Sequence, residues 1–155
     1  MAHIVQEELW LPCDMHVVTT NSTTRRDGAL VMGRGAARQA IGKFDWLQQA
    51  AGKHILQTCK SGGFYGFIWF VPRNWDANAN LETDIGLLQV KYHWSSEASV
   101  ELIGRSLVVL SQFADAEPDR QIRMNYPGIG NGRLQRGDVE STLKLLPDNV
   151  TVCYR

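Results

Sequence analysis

The sequence predicts an α/β fold: a central mixed sheet of about six strands flanked by helices. Three observations lead there. Short runs rich in β-branched and aromatic residues alternate with runs whose apolar residues recur at helical spacing. The chain's 155 residues suit one domain of ordinary size. Hydrophobic residues make up 44% and charged residues 21%, a balance that buries a core and excludes a disordered chain.

The elements follow in order. His3 to Leu11 (HIVQEELWL) reads as a first strand and Met15 to Thr20 (MHVVTT) as a second. A polar, glycine-rich stretch runs from Asn21 to Gly35, and Ala36 to Ala51 is expected to be helical. His54 to Thr58, Phe64 to Val71 and Ile85 to Lys91 read as further strands, with Pro72 to Asp84 as a loop. Ser95-Ser96-Glu97 has the hydroxyls and first-turn acid of a helix start. Val100, Ile103, Leu107, Leu110 and Phe113 then mark one buried helical face, which Glu117-Pro118-Asp119 terminates. Gln121 to Tyr126 is the next strand. Asp138 is placed to cap a final helix with the stripe Val139, Leu143 and Leu146, and Val150 to Tyr154 closes the sheet.

Lys+Arg and Asp+Glu number 16 each, so the net charge is zero. A protein that grips nucleic acid mainly through its overall field is not expected; any contact with a polyanion must be local. No stretch approaches the roughly 18 apolar residues of a membrane span, and no membrane partner is expected. Met1 to Pro12 carries Glu7 and Glu8 and lacks the pattern of a signal peptide. Cys13, Cys59 and Cys153 are widely spaced and form no CxxC, which points to reduced thiols and a cytoplasmic protein. His3, His16, His54 and His93 show no ligand spacing, so neither metal nor cofactor is expected. The tryptophans are read as packing residues; one of them, or Phe64 or Tyr126, is able to stack on a base.

Two glycine clusters carry the chemistry. The first, Gly28-Ala29-Leu30-Val31-Met32-Gly33-Arg34-Gly35-Ala36-Ala37, lies between a strand and a helix. The second, Pro127-Gly128-Ile129-Gly130-Asn131-Gly132-Arg133-Leu134, does the same. Both therefore belong at the carboxyl ends of strands, where open α/β sheets bind ligands. Glycine lets backbone N–H groups turn toward one point, and such a nest beside a helix N-terminus holds phosphate without lysines. Glycines also make plain tight turns; two such loops, each after a strand, favour a ligand with two phosphates. The P-loop pattern GxxxxGKS/T is absent, and Gly33-Arg34-Gly35-Ala36-Ala37-Arg38 departs from GxGxxG at its last position.

Three motifs in order resemble one family. Asn21 followed by GALVMGRGAARQA, then VKYHW (Val90 to Trp94) before a helix, then YPGIGNGRLQRGDV, are similar to a macro domain. The resemblance is to the branch containing the DNA ADP-ribosyl glycohydrolase antitoxins and the terminal ADP-ribose protein glycohydrolase. It runs from Met15 to Val152 and implies a three-layer sandwich, with residues 1–155 as a single macro domain that binds ADP-ribose.

The resemblance also implies roles. Asn21 would face the distal ribose. Met32, Gly33 and Gly35 would run along the diphosphate and that ribose, and Gly128, Ile129, Gly130, Asn131 and Gly132 would close over the phosphates. Glu8 falls near the acid that macro domains place on the adenine amino group; equally, it reads as a solvated strand-end charge. Lys91 corresponds to the lysine that this branch uses for catalysis. Its amine would attack the anomeric carbon of the distal ribose, or stabilise charge as the glycosidic bond breaks. Attack requires a lysine pKa below its reference of about 10.4, through burial or a cationic neighbour such as Arg34. His93 is a second such neighbour if strand geometry puts it on the side of Lys91.

Departures from the family pattern narrow the reading. Where the protein glycohydrolase has an acid in its second loop, this chain has Gly132, as the antitoxin type does. Ser22 to Asp27 lengthen the first loop, and Arg25, Arg26, Arg34, Arg38 and Lys43 bring positive charge able to meet a nucleic-acid backbone or simply to be solvated. The implied function is removal of ADP-ribose from a modified nucleic-acid base or protein side chain. A non-catalytic binder of ADP-ribose or a derived signalling nucleotide is the first alternative, and an ADP-ribose 1″-phosphate phosphatase the second. A scaffold whose loops bind nothing is the third.

Overall fold

The computed structural model describes residues 1–79 and 83–155. Its strands are β1 (His3–Gln6), β2 (Met15–Thr20), β3 (Phe67–Phe70), β4 (Asp84–Gln89), β5 (Ile122–Asn125) and β6 (Val150–Tyr154). Its α-helices are α1 (Gly35–Lys43), α2 (Leu47–Thr58), α3 (Val100–Ala116) and the short α4 (Arg136–Val139). The six strands form one mixed sheet in the order β1-β6-β5-β2-β4-β3. Every neighbouring pair is parallel except β3 with β4.

Alternation along the central strands builds three layers. Met15 and Val17 of β2 face one core, with Leu88, Ile103, Leu107 and Leu110. Val18 faces the other, with Ile85, Leu87, Ala40, Leu47 and Ile55. The first core packs under α3, the second under α1 and α2. Both faces of β2 and β4 are thus covered, and both strands read as nearly continuous apolar runs.

Several boundaries differ from the sequence reading, each for a physical reason. The first strand stops at Gln6, because the chain turns at Glu7 to Leu11 to lie against Arg123, whose guanidinium donates to the carbonyls of Glu8 and Leu9. The helix expected over 36–51 is two helices, separated where Phe44 packs into the core. The strand expected at His54–Thr58 is the last turn of α2: Ile55 alone of these residues is buried, a helical and not an alternating pattern. The third helix starts later than Ser95, with Ser99 as its cap accepting from the Leu102 amide. Asp138 is not the cap of the last helix but its third residue; Gln135 is the cap, and Asp138 accepts from the Gln135 amide in a capping box. Glu140–Leu145 then tighten into a 3₁₀ segment. The predicted loop Pro72 to Asp84 opens with the 3₁₀ turn Pro72–Asn74, and its residues 80–82 lie outside the described residues.

Strand order sets the position of any site. β2 leads toward β4 on one side, while β5 and β6 lie on the other. The carboxyl ends of β2 and β5 therefore flank a topological switch point, where connections leave in opposite directions and a crevice opens. No helix among the described residues is long and apolar enough to cross a membrane.

Candidate functional site

Both glycine loops leave strands that border this crevice. The first follows β2 and ends at the N-terminus of α1; the second follows β5. Between them opens a cavity of about 380 Å³. Asn21, Met32, Gly33 and Gly35 line it from one side; Gly128, Ile129, Asn131 and Gly132 line it from the other; Lys91 borders it from the end of β4. A second cavity of about 320 Å³ shares Gly35, Ala36, Asn125 and Ile129 with the first. It extends over the ends of β5 and β6, where Tyr126, Tyr154 and Glu7 border it. Together they form a trough across the sheet ends, with Lys91 toward β4 and Tyr154 toward β6.

The two loops touch. A Cβ built on Gly35 would lie 3.3 Å from the Asn131 side-chain nitrogen, and Gly35 itself has φ 58. A larger residue there is opposed by both backbone and space. The loops also supply donors. The amides of Gly33 to Ala37 have no hydrogen-bond partner among the described residues, and neither do those of Ile129, Gly130 and Asn131. Arg34 is the N-cap of helix α1, which has no side-chain cap and no acid in its first turn. Unfilled donors at a helix start, facing a cleft, attract an anion.

The other glycines of the second loop serve packing. A Cβ on Gly128 would stand 2.7 Å from Ile103 Cδ1, and one on Gly132 would stand 2.9 Å from the Ala98 Cβ. These contacts press the loop onto the start of α3. Gly130 has open space around it, and it borders the second cavity but not the first.

Asn21 is buried and already engaged. Its Nδ2 donates to the Val31 carbonyl at 3.0 Å, and its Oδ1 accepts from the Thr23 amide at 2.7 Å. The side chain latches the first loop to the end of β2; one Nδ2 proton is left for a ligand. Gln89 does related work from full burial. Its Oε1 accepts from the amides of Tyr65 and Gly66, and its Nε2 donates to Ser22 Oγ and to the Gly63 carbonyl. The sequence reading missed it: a polar residue inside an apolar strand (Leu87-Leu88-Gln89-Val90) was the available signal.

Lys91 lies just beyond β4, half-buried. Burial first, then the charges of Arg133 and Arg34, lower its pKa below a lysine's ordinary value. Arg34 was anticipated; Arg133 was not. Among the described residues Arg133 is the one non-glycine with positive φ, at 65. A left-handed arginine beside the lysine is local strain spent at a site. His93 is exposed, with Nδ1 2.7 Å from Ser95 Oγ, and is not among the charges that act on Lys91. Among the described residues no carboxylate borders the first cavity.

Glu8 borders neither cavity. It is exposed and pairs with Arg155 at 2.7 Å. Its neighbour Glu7 borders the second cavity and is held by Arg123 at 3.3 Å. After Gln6 the chain leaves the strand and turns, and Glu7, not Glu8, comes to the rim of the second cavity. Phe64 lies under the Arg105 guanidinium, 4.1 Å from the ring centroid, and Tyr126 is buried with its hydroxyl donating to the Arg136 carbonyl.

Comparison with known proteins extends this description. No protein-family model matches the sequence, and no curated protein matches it. Solved structures do. The macrodomain of Thermus aquaticus DarG superposes with a TM-score of 0.73 at 24% identity, over 100% of this chain and 98% of that one. The macrodomain of Mycobacterium tuberculosis DarG gives 0.66 at 22%, over 99% and 98%. Thermosipho africanus DarTG in complex with ADP-ribose gives 0.68 at 19%, over 91% of this chain and 38% of that one. With its crevice, its two glycine loops and this likeness along its whole length, the chain has the macrodomain fold.

Proposed function

We propose that residues 1–155 act as one macro domain that binds ADP-ribose and releases it by hydrolysis from a modified nucleic-acid base. The observation that carries this reading is the trough itself. Two loops with unfilled amides meet over the switch point, and a lysine of lowered pKa stands at one end. The complex of Thermosipho africanus DarTG with ADP-ribose, which shares this fold, supports the choice of ligand.

In this reading the diphosphate lies on the amides of Gly33, Gly35, Ile129 and Asn131, with Met32, Gly128 and Gly132 shaping the walls. The adenosine half extends over β5 and β6, where Glu7 replaces Glu8 as the acid able to accept from an adenine amino group. The distal ribose lies over β2 and β4, beside Lys91. The neutral amine attacks the anomeric carbon; a C–N bond forms, and the glycosidic pair leaves with the base, which takes up a proton. Water then cleaves the C–N bond, freeing ADP-ribose and restoring the amine. Asn21 keeps the first loop in register with the ribose. The three free cysteines suit a cytoplasmic setting.

A second reading has an observation in its favour. Among the described residues no carboxylate borders the first cavity to protonate the leaving group, which fits a binder without turnover. An assay of ADP-ribose release separates the readings. ADP-ribosylated single-stranded DNA and an ADP-ribosylated acidic peptide are each incubated with the protein. The proposal expects release from DNA, at least tenfold faster than from the peptide. Tight binding of both with no release supports the binder, and phosphate release from ADP-ribose 1″-phosphate alone supports the phosphatase.

A further inference from the structure

Two adjacent threonines end β2, and the protein uses the hydroxyl of one. Thr19 Oγ1 accepts from Asn125 Nδ2 of β5 at 2.8 Å. Thr20 is buried, 4% exposed, and its Oγ1 has no hydrogen-bond partner among the described residues. A strand offers such a hydroxyl little, because the ladder takes the nearby backbone groups. The Thr20 carbonyl itself accepts from the Val90 amide at 2.9 Å. Ser106 Oγ is also without a partner, but it lies within α3, where a serine can turn back to the carbonyl one turn earlier, and it borders neither cavity of the trough. Thr20 borders the first cavity.

A buried hydroxyl without a partner costs the free protein stability, and valine has nearly the same shape without that cost. A ligand in the cavity is what supplies the missing partner. Its chemistry follows from the neighbours. Thr20 does not border the second cavity, so the group it meets lies at the Lys91 end of the trough. Lys91 and Arg34 border this cavity as cations, which only donate. The side-chain oxygens of Asn21 and Asn125 already accept from the amides of Thr23 and Thr19. A phosphate needs donors alone, and the loop amides provide them. A sugar hydroxyl also needs an acceptor for its own proton, and a threonine hydroxyl donates and accepts.

We infer that the Thr20 hydroxyl binds a hydroxyl of the distal ribose, which makes Thr20 a specificity-determining contact for a sugar at this end of the cavity. The inference rests on the proposed function for the orientation of the ligand. One neutral hydrogen bond of this kind is worth about tenfold in affinity.

The test titrates ADP-ribose, and separately ADP, which lacks the distal ribose, into wild type, Thr20→Val and Thr20→Ser by calorimetry. Thermal unfolding of each protein alone is recorded beside it. Thr20→Val is expected to unfold at or above the wild-type temperature, to bind ADP-ribose about tenfold more weakly, and to bind ADP within about twofold of wild type. Thr20→Ser, which keeps the hydroxyl, is expected to bind ADP-ribose within about threefold of wild type. Stability and affinity moving in opposite directions is an outcome that a merely structural hydroxyl does not produce. The inference is overturned if Thr20→Val binds ADP-ribose as wild type does, or loses ADP as strongly as it loses ADP-ribose. It is also overturned if Thr20→Val unfolds clearly below wild type, which would mean that the hydroxyl serves the fold. Failure of the underlying reading shows separately, as wild type that binds neither ligand, and the inference then falls with it.

Discussion

Gly33→Glu is expected to weaken ADP-ribose binding at least a hundredfold while leaving the thermal transition of the protein in place. Gly33 borders the cavity, its φ is not in the left-handed range, and a Cβ there meets nothing within 4 Å. Its replacement therefore costs the fold little. A glutamate there sets a carboxylate among the unfilled amides of the first loop, where it competes for the donors and repels the diphosphate. Two unit charges 4 Å apart interact by about 4 kcal/mol at an effective dielectric near 20. A hundredfold loss needs only about 2.7 kcal/mol. Calorimetric titration beside differential scanning calorimetry checks this. Gly33→Ala serves as control, with affinity within about threefold. Gly130→Glu is the less informative variant, because φ 66 at that position adds backbone strain to the charge effect. Retained affinity in Gly33→Glu would remove the loop from the phosphate site.

Lys91→Ala is expected to abolish release of ADP-ribose, by at least a thousandfold on the scale of lost nucleophiles, with ADP-ribose affinity falling far less. The split is the diagnostic: a lysine that only attracts the ligand would raise KM and leave kcat standing. The wild-type pH profile carries a second signature. Attack requires the neutral amine, so the rate rises with pH through the lysine pKa. Burial and the charges of Arg133 and Arg34 bring that inflection below a lysine's ordinary value. In Arg133→Gln one of those charges is gone, so the inflection moves up and the rate at neutral pH falls. An inflection that stays in place in Arg133→Gln contradicts the electrostatic part. Equal release by Lys91→Ala and wild type contradicts the nucleophile.

Much of the crevice was legible in the sequence because its makers are local. A strand, a glycine cluster and a helix start are contiguous in the chain, so the first loop announces itself, and the second does likewise. Long-range facts were not legible. Nothing local tells that Gly35 and Asn131 meet, or that Arg133 stands beside Lys91; both depend on β2 and β5 pairing across more than a hundred residues. The acid at the far end was not legible either: the resemblance pointed to Glu8, but the chain leaves β1 after Gln6, and it is Glu7 that borders the second cavity. His54 to Thr58 was read as a strand because a short run with one buried isoleucine satisfies both periods, and only the preceding turns of α2 decide between them.

The central claim is that main-chain amides of both loops hold one diphosphate. Amide chemical-shift mapping of the ¹⁵N-labelled protein during ADP-ribose titration tests it most directly. The account predicts that the amides of Gly33, Gly35, Ile129, Gly130 and Asn131 shift together, saturate at one ligand equivalent, and move far more than those of α3. Shifts confined to one loop, or spread over a surface away from the crevice, would contradict it.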